Sequence, residues 1–303
     1  MSHTHARALV LLTALAAVIV TTQSDAQRPP TPSLVPALDQ QVRLDRAGFS
    51  PGEIDGREGT NTAKALTAFT AARVPAGDAA PTLVPYTITA ADVAHPFERV
   101  PSDMMAKAKL KSLGFATLIE SLGERFHSSP ALLRKLNAGA RWIEGATVQV
   151  PNVRPAQSSP ADATTALATK VVVSKSQSNV TAFDAAGNVI FYAPVTSGSE
   201  HDPLPLGDWL VNGVSRNPTF NYNPDLFWDA NTAHTKTLLP PGPNGPVGVV
   251  WIDISKEHYG LHGTPEPGQV GHSMSHGCVR LTNWDALALA ALVKKGTPVI
   301  FVE

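Results

Sequence analysis

The chain has 303 residues, of which 43% are hydrophobic and 16% charged, and its formal net charge is −1 at pH 7. This near-neutral balance argues against a partner recognised through a broad electrostatic field, such as nucleic acid or an anionic lipid surface. The chain contains a single cysteine, Cys278, so it cannot form an internal disulfide. Its length, with 26 prolines and 22 glycines, predicts two or three modules joined by linkers.

Residues 1–26 have the composition of a secretory signal peptide. Arg7 gives a positive start, residues 8–20 form an apolar run, and Ser24 and Ala26 are the small residues that a signal peptidase reads. The apolar run is shorter than the about twenty residues that span a bilayer. We therefore expect an exported protein, periplasmic or associated with the cell wall, with no membrane span after cleavage. Retention of the segment as an anchor is the alternative.

A proline-rich linker over residues 27–36 precedes a predicted helical module over residues 37–80. Apolar spacing predicts a first helix over residues 38–44, and Asn61 is placed to cap a second helix that buries Phe69. The segment resembles the small helical peptidoglycan-binding module in Gly48-Phe49, the turn over 51–56 and Asn61-Thr62. A helical spacer without a ligand is the alternative.

Residues 81–152 form a second predicted module, of α+β type. A strand begins at Tyr86, two helices follow over residues 118–137, and a Gly-x-x-Val-x-Val-Pro strand closes the segment at 145–151. This order is similar to that of a LysM module, a fold that binds the N-acetyl groups of glycans. A helical, charged insertion over residues 94–114 departs from the family pattern, so we interpret the module as a degenerate member.

A second linker is predicted over residues 153–165, and the composition then changes to strand material over residues 166–303. Short β-branched runs follow one another, with a turn at 184–187 that predicts a hairpin. One helix is predicted over residues 284–293. Many short strands with one helix predict a mostly antiparallel β-sandwich or barrel. The predicted fold class is thus multidomain, with a mostly-β C-terminal domain preceded by a small helical module and an α+β module.

The residues around Cys278 have the chemistry that thiol catalysis requires. His262 lies sixteen positions upstream, His276 two positions upstream and Arg280 two positions downstream. A nucleophilic thiol needs a base to remove its proton, backbone amides to stabilise an oxyanion and, for an anionic substrate, a nearby cation. The alternative for a lone cysteine is a small buried hydrophobe. Glycines beside both histidines favour tight backbone over core packing.

Residues 166–303 resemble the catalytic domain of the YkuD-type L,D-transpeptidases. The shared motifs occur in the family's order: Thr-Ser-Gly at 196–198, Pro-Leu-Gly at 205–207, the segment 239–248, His-Gly-Thr at 262–264 and Ser-His-Gly-Cys-Val-Arg-Leu at 275–281. The resemblance implies that Cys278 is the nucleophile and that His262 is its base, forming a thiolate–imidazolium pair. It also implies that the backbone carbonyl of Gly263 orients the imidazole ring.

The same resemblance assigns further roles around the thiol. We expect the amides of Gly277 and Cys278 to form the oxyanion hole, His276 to shape the loop beside the thiol, and Tyr259 to add a contact there. Arg280 suits the carboxylate of a peptide stem, with an internal salt bridge as the alternative. The expected substrate-binding set is completed by Ser275, Gly263 and Thr264.

The resemblance implies a two-step reaction on peptidoglycan stem tetrapeptides. Cys278 forms a thioester with release of D-alanine, and an acceptor amine then takes the acyl group. The acceptor would be a second stem, giving a cross-link between third residues, or the lysine of a lipoprotein. L,D-carboxypeptidase activity or amino-acid exchange at the same site is one alternative, and a non-catalytic wall-binding protein is another.

Two further features of the C-terminal region bear on this chemistry. Four histidines occur close together (His258, His262, His272, His276), but their glycine-rich loops do not favour a zinc site, and we expect no metal or cofactor. An aromatic loop over residues 217–242 is expected to cover the cleft that receives the acyl donor. An ordered surface loop is the alternative.

Overall fold

The computed structural model describes residues 35–74, 79–155 and 167–303. The predicted signal peptide over 1–26, residues 27–34 of the first linker and residues 156–165 of the second lie outside this described part. Within it, no helix has both the length and the apolar character needed to cross a membrane.

The helical module consists of two helices, α1 (Val35–Arg46) and α2 (Thr60–Ala71). Leu44 and Phe49 are buried beside them, and Phe69 packs edge-on against Phe49 with 5.4 Å between ring centroids. Phe69, predicted to be buried, is only partly buried in this cluster. Residues 35 and 36, which the sequence places in the linker, already belong to α1.

The start of α2 differs from the prediction. Gly59 is the residue that caps the helix, and Asn61 lies within its first turn. The Asn61 side chain does not cap because its amide donates a hydrogen bond to the carbonyl of Val270, at 2.9 Å. A residue expected to act within its own helix therefore joins that helix to a distant loop of the C-terminal region.

The second module has the expected order of strand, helices and strand. Its strands β1 (Leu83–Thr87) and β2 (Thr147–Pro151) pair in antiparallel fashion. The insertion contributes two short helices, α3 (Ala90–Val93) and α4 (Met104–Lys107), and the two longer helices are α5 (Leu118–Arg125) and α6 (Pro130–Leu136). Thr117 and Ser129 cap α5 and α6 by accepting hydrogen bonds from backbone N–H groups of the first turn. Kinship with LysM modules stays a prediction.

The C-terminal region is built around one large sheet. Its strands are β3 (Lys170–Ser174), β4 (Asn179–Phe183), β5 (Val189–Pro194), β6 (Thr196–Ser197), β7 (Gly207–Arg216), β10 (Val250–Ile254), β11 (Gly260–His262), β12 (Val279–Arg280) and β13 (Pro298–Val302). In the described residues their order is β5-β4-β3-β13-β7-β10-β11-β12-β6. Two neighbouring pairs, β3 with β13 and β11 with β12, are parallel, and the others are antiparallel. The domain is mostly β, as predicted.

One helix and one separate hairpin complete this region. Helix α7 (Asn283–Leu292) packs against β10 and β11, and its N-cap is Thr282, whose hydroxyl accepts a hydrogen bond from the backbone of Asp285 at 3.1 Å. Leu289 of α7 is buried in the main apolar core of the domain. The hairpin strands β8 (Phe220–Tyr222) and β9 (Thr237–Leu239) pair with each other and frame the aromatic loop.

The three modules share their apolar cores. Leu38 of α1 packs into one buried cluster with Leu132 of α6. Phe49 stacks on Tyr192 of β5 with 6.4 Å between ring centroids, and the backbone of Tyr192 exchanges hydrogen bonds with Gly48 and Ser50. The helical module therefore adds to the β5 edge of the large sheet, and the described parts of the modules pack against one another.

A buried charge network crosses the same junction. Asp45 lies 2.9 Å from the ring of His127 and accepts a hydrogen bond from the backbone of Arg154 at 3.0 Å. The Arg154 guanidinium pairs with Asp285 at the start of α7. Burial alone would raise the pKa of Asp45. The charges and hydrogen bonds of His127 and Arg154 outweigh this effect and lower that pKa to about 2. Arg154 was expected in a linker. It is instead buried, and its contacts with Asp45 and Asp285 connect the three modules.

Candidate active site

Strands β11 and β12 bring the predicted catalytic residues together. They pair in parallel, with His262 beside Arg280. Side chains at paired positions of neighbouring strands lie on the same face of a sheet. Cys278 directly precedes β12 and stands two positions before Arg280, which places it on that face as well. The thiol, the imidazole and the guanidinium therefore form one cluster at the end of two short strands.

The His262 ring is held in a single tautomer. It is buried, it stacks on Trp251 with 5.4 Å between centroids, and its Nδ1 lies 2.7 Å from the carbonyl oxygen of Gly263. A carbonyl oxygen can only accept, so Nδ1 carries the proton and Nε2 keeps a free lone pair. Burial, with the nearby charge of Arg280, lowers the pKa of His262 to about 4. At neutral pH His262 is thus an unprotonated base.

The Cys278 thiol is partly exposed, and its Sγ lies 3.7 Å from the carbonyl oxygen of His258. Burial raises the pKa of this thiol, and the Gly260 amide and Arg280 oppose that effect only in part. Taken one group at a time, burial favours a neutral Cys278 thiol and a neutral His262 imidazole. The thiolate–imidazolium pair stays a prediction.

Ser275 bonds to the backbone at Cys278. Its buried hydroxyl accepts a hydrogen bond from the backbone N–H of Gly198 at 2.7 Å and donates one to the carbonyl of Cys278 at 2.6 Å. Its own backbone N–H donates to the carbonyl of Gly198 at 3.1 Å. We expected Ser275 to contact substrate, but its hydroxyl proton is committed within the protein. The structure thus gives it a positioning role.

The turn before the nucleophile requires glycine. Gly277 has a φ of 97°, and a Cβ at this position would lie 2.5 Å from the ring of Tyr259. Any other residue would therefore be strained and would displace the ring. Burial raises the pKa of Tyr259, so its phenol stays neutral in the physiological range. Tyr259 contacts the turn as expected, and an oxyanion role for the amides of Gly277 and Cys278 stays a prediction.

Gly263 and Thr264 belong to the framework behind the histidine. A Cβ on Gly263 would lie 2.0 Å from the side-chain oxygen of Asn283, so helix α7 can approach the strand only because residue 263 is glycine. The buried Thr264 hydroxyl accepts a hydrogen bond from the backbone of Glu266 at 3.3 Å. Both residues were expected in substrate binding, and the contacts described here are internal ones.

Arg280 forms no ion pair with any residue that the structure describes. Within the described residues no hydrogen bond or salt bridge engages its guanidinium. Burial lowers the pKa of Arg280, and Cys278, Glu266 and Asp229 act in the opposite direction without forming an ion pair. Burying part of a guanidinium without an anionic partner costs free energy, and an anionic ligand that binds it would offset that cost. The alternative of an internal salt bridge is therefore not what the structure shows.

His276 links the nucleophile loop to the aromatic loop. Its Nε2 lies 2.8 Å from the carboxylate of Asp229, and its ring packs edge-on against Phe227 at 5.2 Å between centroids. The 217–242 loop therefore lies against the turn that precedes Cys278, and its covering of a donor cleft stays a prediction. Asp229 was not identified from the sequence, since it belongs to no motif. Its only signal is its position directly after the Phe-Trp pair of this loop.

The insertion of the second module supports the aromatic loop from behind. The backbone of Leu113 donates a hydrogen bond to Pro241 and accepts one from Asn244, each at 2.9 Å. A Cβ on Gly242 would lie 2.2 Å from the carbonyl oxygen of Leu113. Leu113 is fully buried in one apolar cluster with Tyr222 and Leu239. The segment that departs from the LysM pattern thus packs against the catalytic domain.

The helical module reaches the loop that leads to the nucleophile. Besides its bond to Val270, Asn61 lies 3.4 Å from the His272 ring, and a Cβ on Gly271 would lie 2.6 Å from its side-chain oxygen. Residue 271 must therefore be small for this contact to form. Asn61 was expected to carry a resemblance to a wall-binding module, and it is instead occupied by the catalytic domain.

The four neighbouring histidines have different partners. His258 pairs with Glu257 at 3.5 Å, whereas the contacts of His262, His272 and His276 are those already described. Across residues 35–74, 79–155 and 167–303, no group of three or more His, Cys, Asp or Glu side chains is arranged to hold a metal ion.

The part of the chain that holds this cluster matches a known family. Residues 168–301 match the YkuD family model, described as the L,D-transpeptidase catalytic domain. This region is therefore similar to a YkuD catalytic domain. The matched segment contains every predicted site residue, from Tyr259 to Arg280. The match does not reach the two N-terminal modules, whose family assignments stay predictions.

Similar proteins are matched over part of their length. The L,D-transpeptidase-type protein YkuD of Bacillus licheniformis is 49% identical over 59 residues, which are 20% of this chain and 36% of that protein. The L,D-transpeptidase-type protein YbiS of Escherichia coli is 26% identical over 137 residues, 44% of each chain. This chain therefore spans between a third and a half of the length of these two relatives. The crystal structure of L,D-transpeptidase 3 from Mycobacterium tuberculosis covers 54% of this chain and 77% of its own at 20% identity, with a TM-score of only 0.37.

Proposed function

We propose that the protein is an L,D-transpeptidase that acts on peptidoglycan stem tetrapeptides through a thioester on Cys278. The observation that carries this proposal is the fixed tautomer of His262. Its Nδ1 is bound to the Gly263 carbonyl, and its free Nε2 is available as a base in the cluster that contains the partly exposed thiol.

Acylation follows from these protonation states. As the Cys278 sulfur attacks the carbonyl carbon of the third stem residue, its proton passes to Nε2 of His262. The bond between this carbon and the nitrogen of D-alanine then breaks, and His262 returns the proton to that nitrogen. D-alanine leaves, and the thioester remains. The amides of Gly277 and Cys278 are the proposed donors to the oxyanion, and one such donor is typically worth about 3 kcal/mol of barrier.

Deacylation uses the same two groups. The acceptor amine attacks the thioester carbon and gives a proton to His262, the carbon–sulfur bond breaks, and Cys278 recovers the proton. The product is a new amide. A second stem as acceptor gives a cross-link between third residues, a lipoprotein lysine anchors that protein to the wall, and water gives a tripeptide.

Arg280 is the proposed anchor for a carboxylate of the stem. Its guanidinium lies on the same face as the thiol and has no partner in the described residues. A charge-assisted hydrogen bond to a carboxylate would complete it. The predicted signal peptide would deliver the enzyme to the periplasm or wall, where this substrate occurs, and the two N-terminal modules are proposed relatives of peptidoglycan-binding and LysM domains.

Product analysis tests the proposal. Mature protein and a Cys278→Ala variant are incubated with disaccharide-tetrapeptide, and the products are separated and identified by mass. A dimer that has lost one D-alanine, absent with the variant, is the expected result. Tripeptide alone would identify an L,D-carboxypeptidase. Equal product with both proteins, or none with either, would contradict the proposal.

A further inference from the structure

We propose that Trp228, stacked on His201, is a binding platform for the sugar that carries the stem peptide. This inference rests on the proposed function and extends its substrate from the peptide to the glycan. The two rings lie 4.3 Å apart between centroids at an interplanar angle of 26°, and the Trp228 side chain is 60% exposed. Large aromatic side chains contribute strongly to binding when they are covered by a ligand.

Trp228 is exposed although both of its neighbours are fixed. Phe227 packs against the rings of His276 and Tyr222, and Asp229 accepts a hydrogen bond from His276 at 2.8 Å. The indole is thus held by its backbone on both sides and by His201 on one face. A side chain ordered in advance loses little conformational entropy when a ligand packs against it. Exposure of a large apolar ring between two residues that are packed in this way is a feature of recognition surfaces.

The distance from the platform to the nucleophile suits a sugar joined to its stem. The ring centroids of Trp228 and His276 are 6.0 Å apart, and Cys278 is two residues beyond His276. Two residues span at most about 7 Å, and a stem of three extended residues spans up to about 11 Å. The stem, at about 11 Å, and the path from Trp228 through His276 to Cys278, at about 13 Å at most, are similar in length, so a stem with its third carbonyl at Cys278 brings its sugar close to Trp228.

The chemistry of the platform favours a sugar over another part of the substrate. The carboxylate-binding group, Arg280, lies on the strand beside His262, whereas Trp228 and His201 present aromatic surface. A pyranose ring has an apolar face of C–H groups that packs on an aromatic ring, and its hydroxyl groups stay solvated at the edge. The platform thus recognises the neutral, partly apolar end of the substrate.

Binding measurements on a non-reacting protein test this assignment. Affinities for disaccharide-tetrapeptide and for free tetrapeptide are measured by calorimetry on Cys278→Ala protein that has Trp228 intact or changed to Ala or Phe. Leu226→Ala is the matched control, because it removes another exposed apolar side chain, 46% exposed, from the same loop. The quantity compared is the ratio of the two dissociation constants.

Trp228→Ala is expected to reduce the preference for the sugar-bearing ligand about tenfold, which corresponds to about 1.4 kcal/mol. His201→Ala should reduce this preference less, and Trp228→Phe should retain most of it. Leu226→Ala should change the preference by less than about twofold. An unchanged ratio would overturn the proposal, whether both ligands are weakened equally or neither is affected. Because binding is measured without turnover, absence of product from the active enzyme would refute the proposed function while leaving this test intact.

Discussion

The carboxylate of Asp103 lies 2.7 Å from Nε2 of His234, and Nδ1 of the same ring lies 3.0 Å from the hydroxyl of Tyr222. Asp103 belongs to the insertion of the second module, and the other two residues belong to the aromatic loop region of the catalytic domain. One imidazole thus connects a predicted accessory module to the loop that contacts His276. The insertion thus contacts the loop that packs against His276.

Asp103→Ala should lower kcat/KM for disaccharide-tetrapeptide about three- to tenfold, because the loop loses a tie that holds it against the catalytic turn. Asp225→Ala is the matched control. Asp225 pairs with Lys236 at 3.2 Å on the same loop, but both side chains are exposed, and such pairs contribute little. We expect less than about a twofold change. Equal losses in the two variants, measured by initial rates, would contradict a specific role for Asp103.

Ser275→Ala should reduce both stability and kcat. The substitution leaves the Gly198 amide and the Cys278 carbonyl without their partner, and such a loss in a buried site costs about 2 kcal/mol. Since the turn that carries the thiol loosens, kcat should fall more than KM rises. Ser273→Ala controls for the loss of a hydroxyl, because Ser273 is exposed and bonds the carbonyl of Gln269 at 3.0 Å. Chemical denaturation and steady-state kinetics distinguish the two. If Ser275→Ala behaved like Ser273→Ala, the positioning role would be wrong.

The pH dependence of Cys278 alkylation reports the resting protonation state. A thiol whose pKa is raised by burial is protonated at neutral pH, so its reaction with iodoacetamide should be slow at pH 7 and should still increase above pH 9. A preformed thiolate–imidazolium pair would instead react fast at neutral pH, with a midpoint below 7. That second profile would contradict the neutral thiol that burial favours. As Cys278 is the one cysteine, total alkylation can be followed by intact mass.

Arg280→Gln should reduce the apparent affinity for substrate without reducing the stability of the protein. KM should rise about tenfold to 100-fold through loss of a charge-assisted contact, while the melting temperature should stay within about 2 °C because no internal ion pair is broken. Arg280 lowers the pKa of His262, so its removal should raise that pKa from about 4. His262 is active when unprotonated, and the acid limb of kcat/KM should therefore move to higher pH. A large loss of stability with an unmoved limb would indicate a structural role.

The local pattern of the C-terminal domain was predictable because it depends on neighbours in sequence. The hairpin of β4 and β5 forms where the turn at 184–187 separates two β-branched runs, and helix α7 forms over the apolar run that predicted it. The motif residues also converge as expected, since His262 and Arg280 lie on paired strands.

Contacts over long separations could not be derived in this way. Arg154 meets Asp45 and Asp285 across more than 100 residues on each side, and nothing in its proline-containing segment distinguishes it from a linker arginine. The Asn61 amide likewise finds Val270 only because two modules dock. The resting charges of His262 and Cys278 depend on burial, which is a property of the folded cleft.

The most direct test of Cys278 as the nucleophile is the mass of the intact protein during turnover of disaccharide-tetrapeptide, followed by peptide mapping. We predict a transient mass increase equal to the disaccharide-tripeptide acyl group, located on the peptide that contains Cys278 and absent from Cys278→Ala. In His262→Ala the same adduct should form much more slowly. An adduct on another residue, or undiminished product formation by Cys278→Ala, would contradict the mechanism.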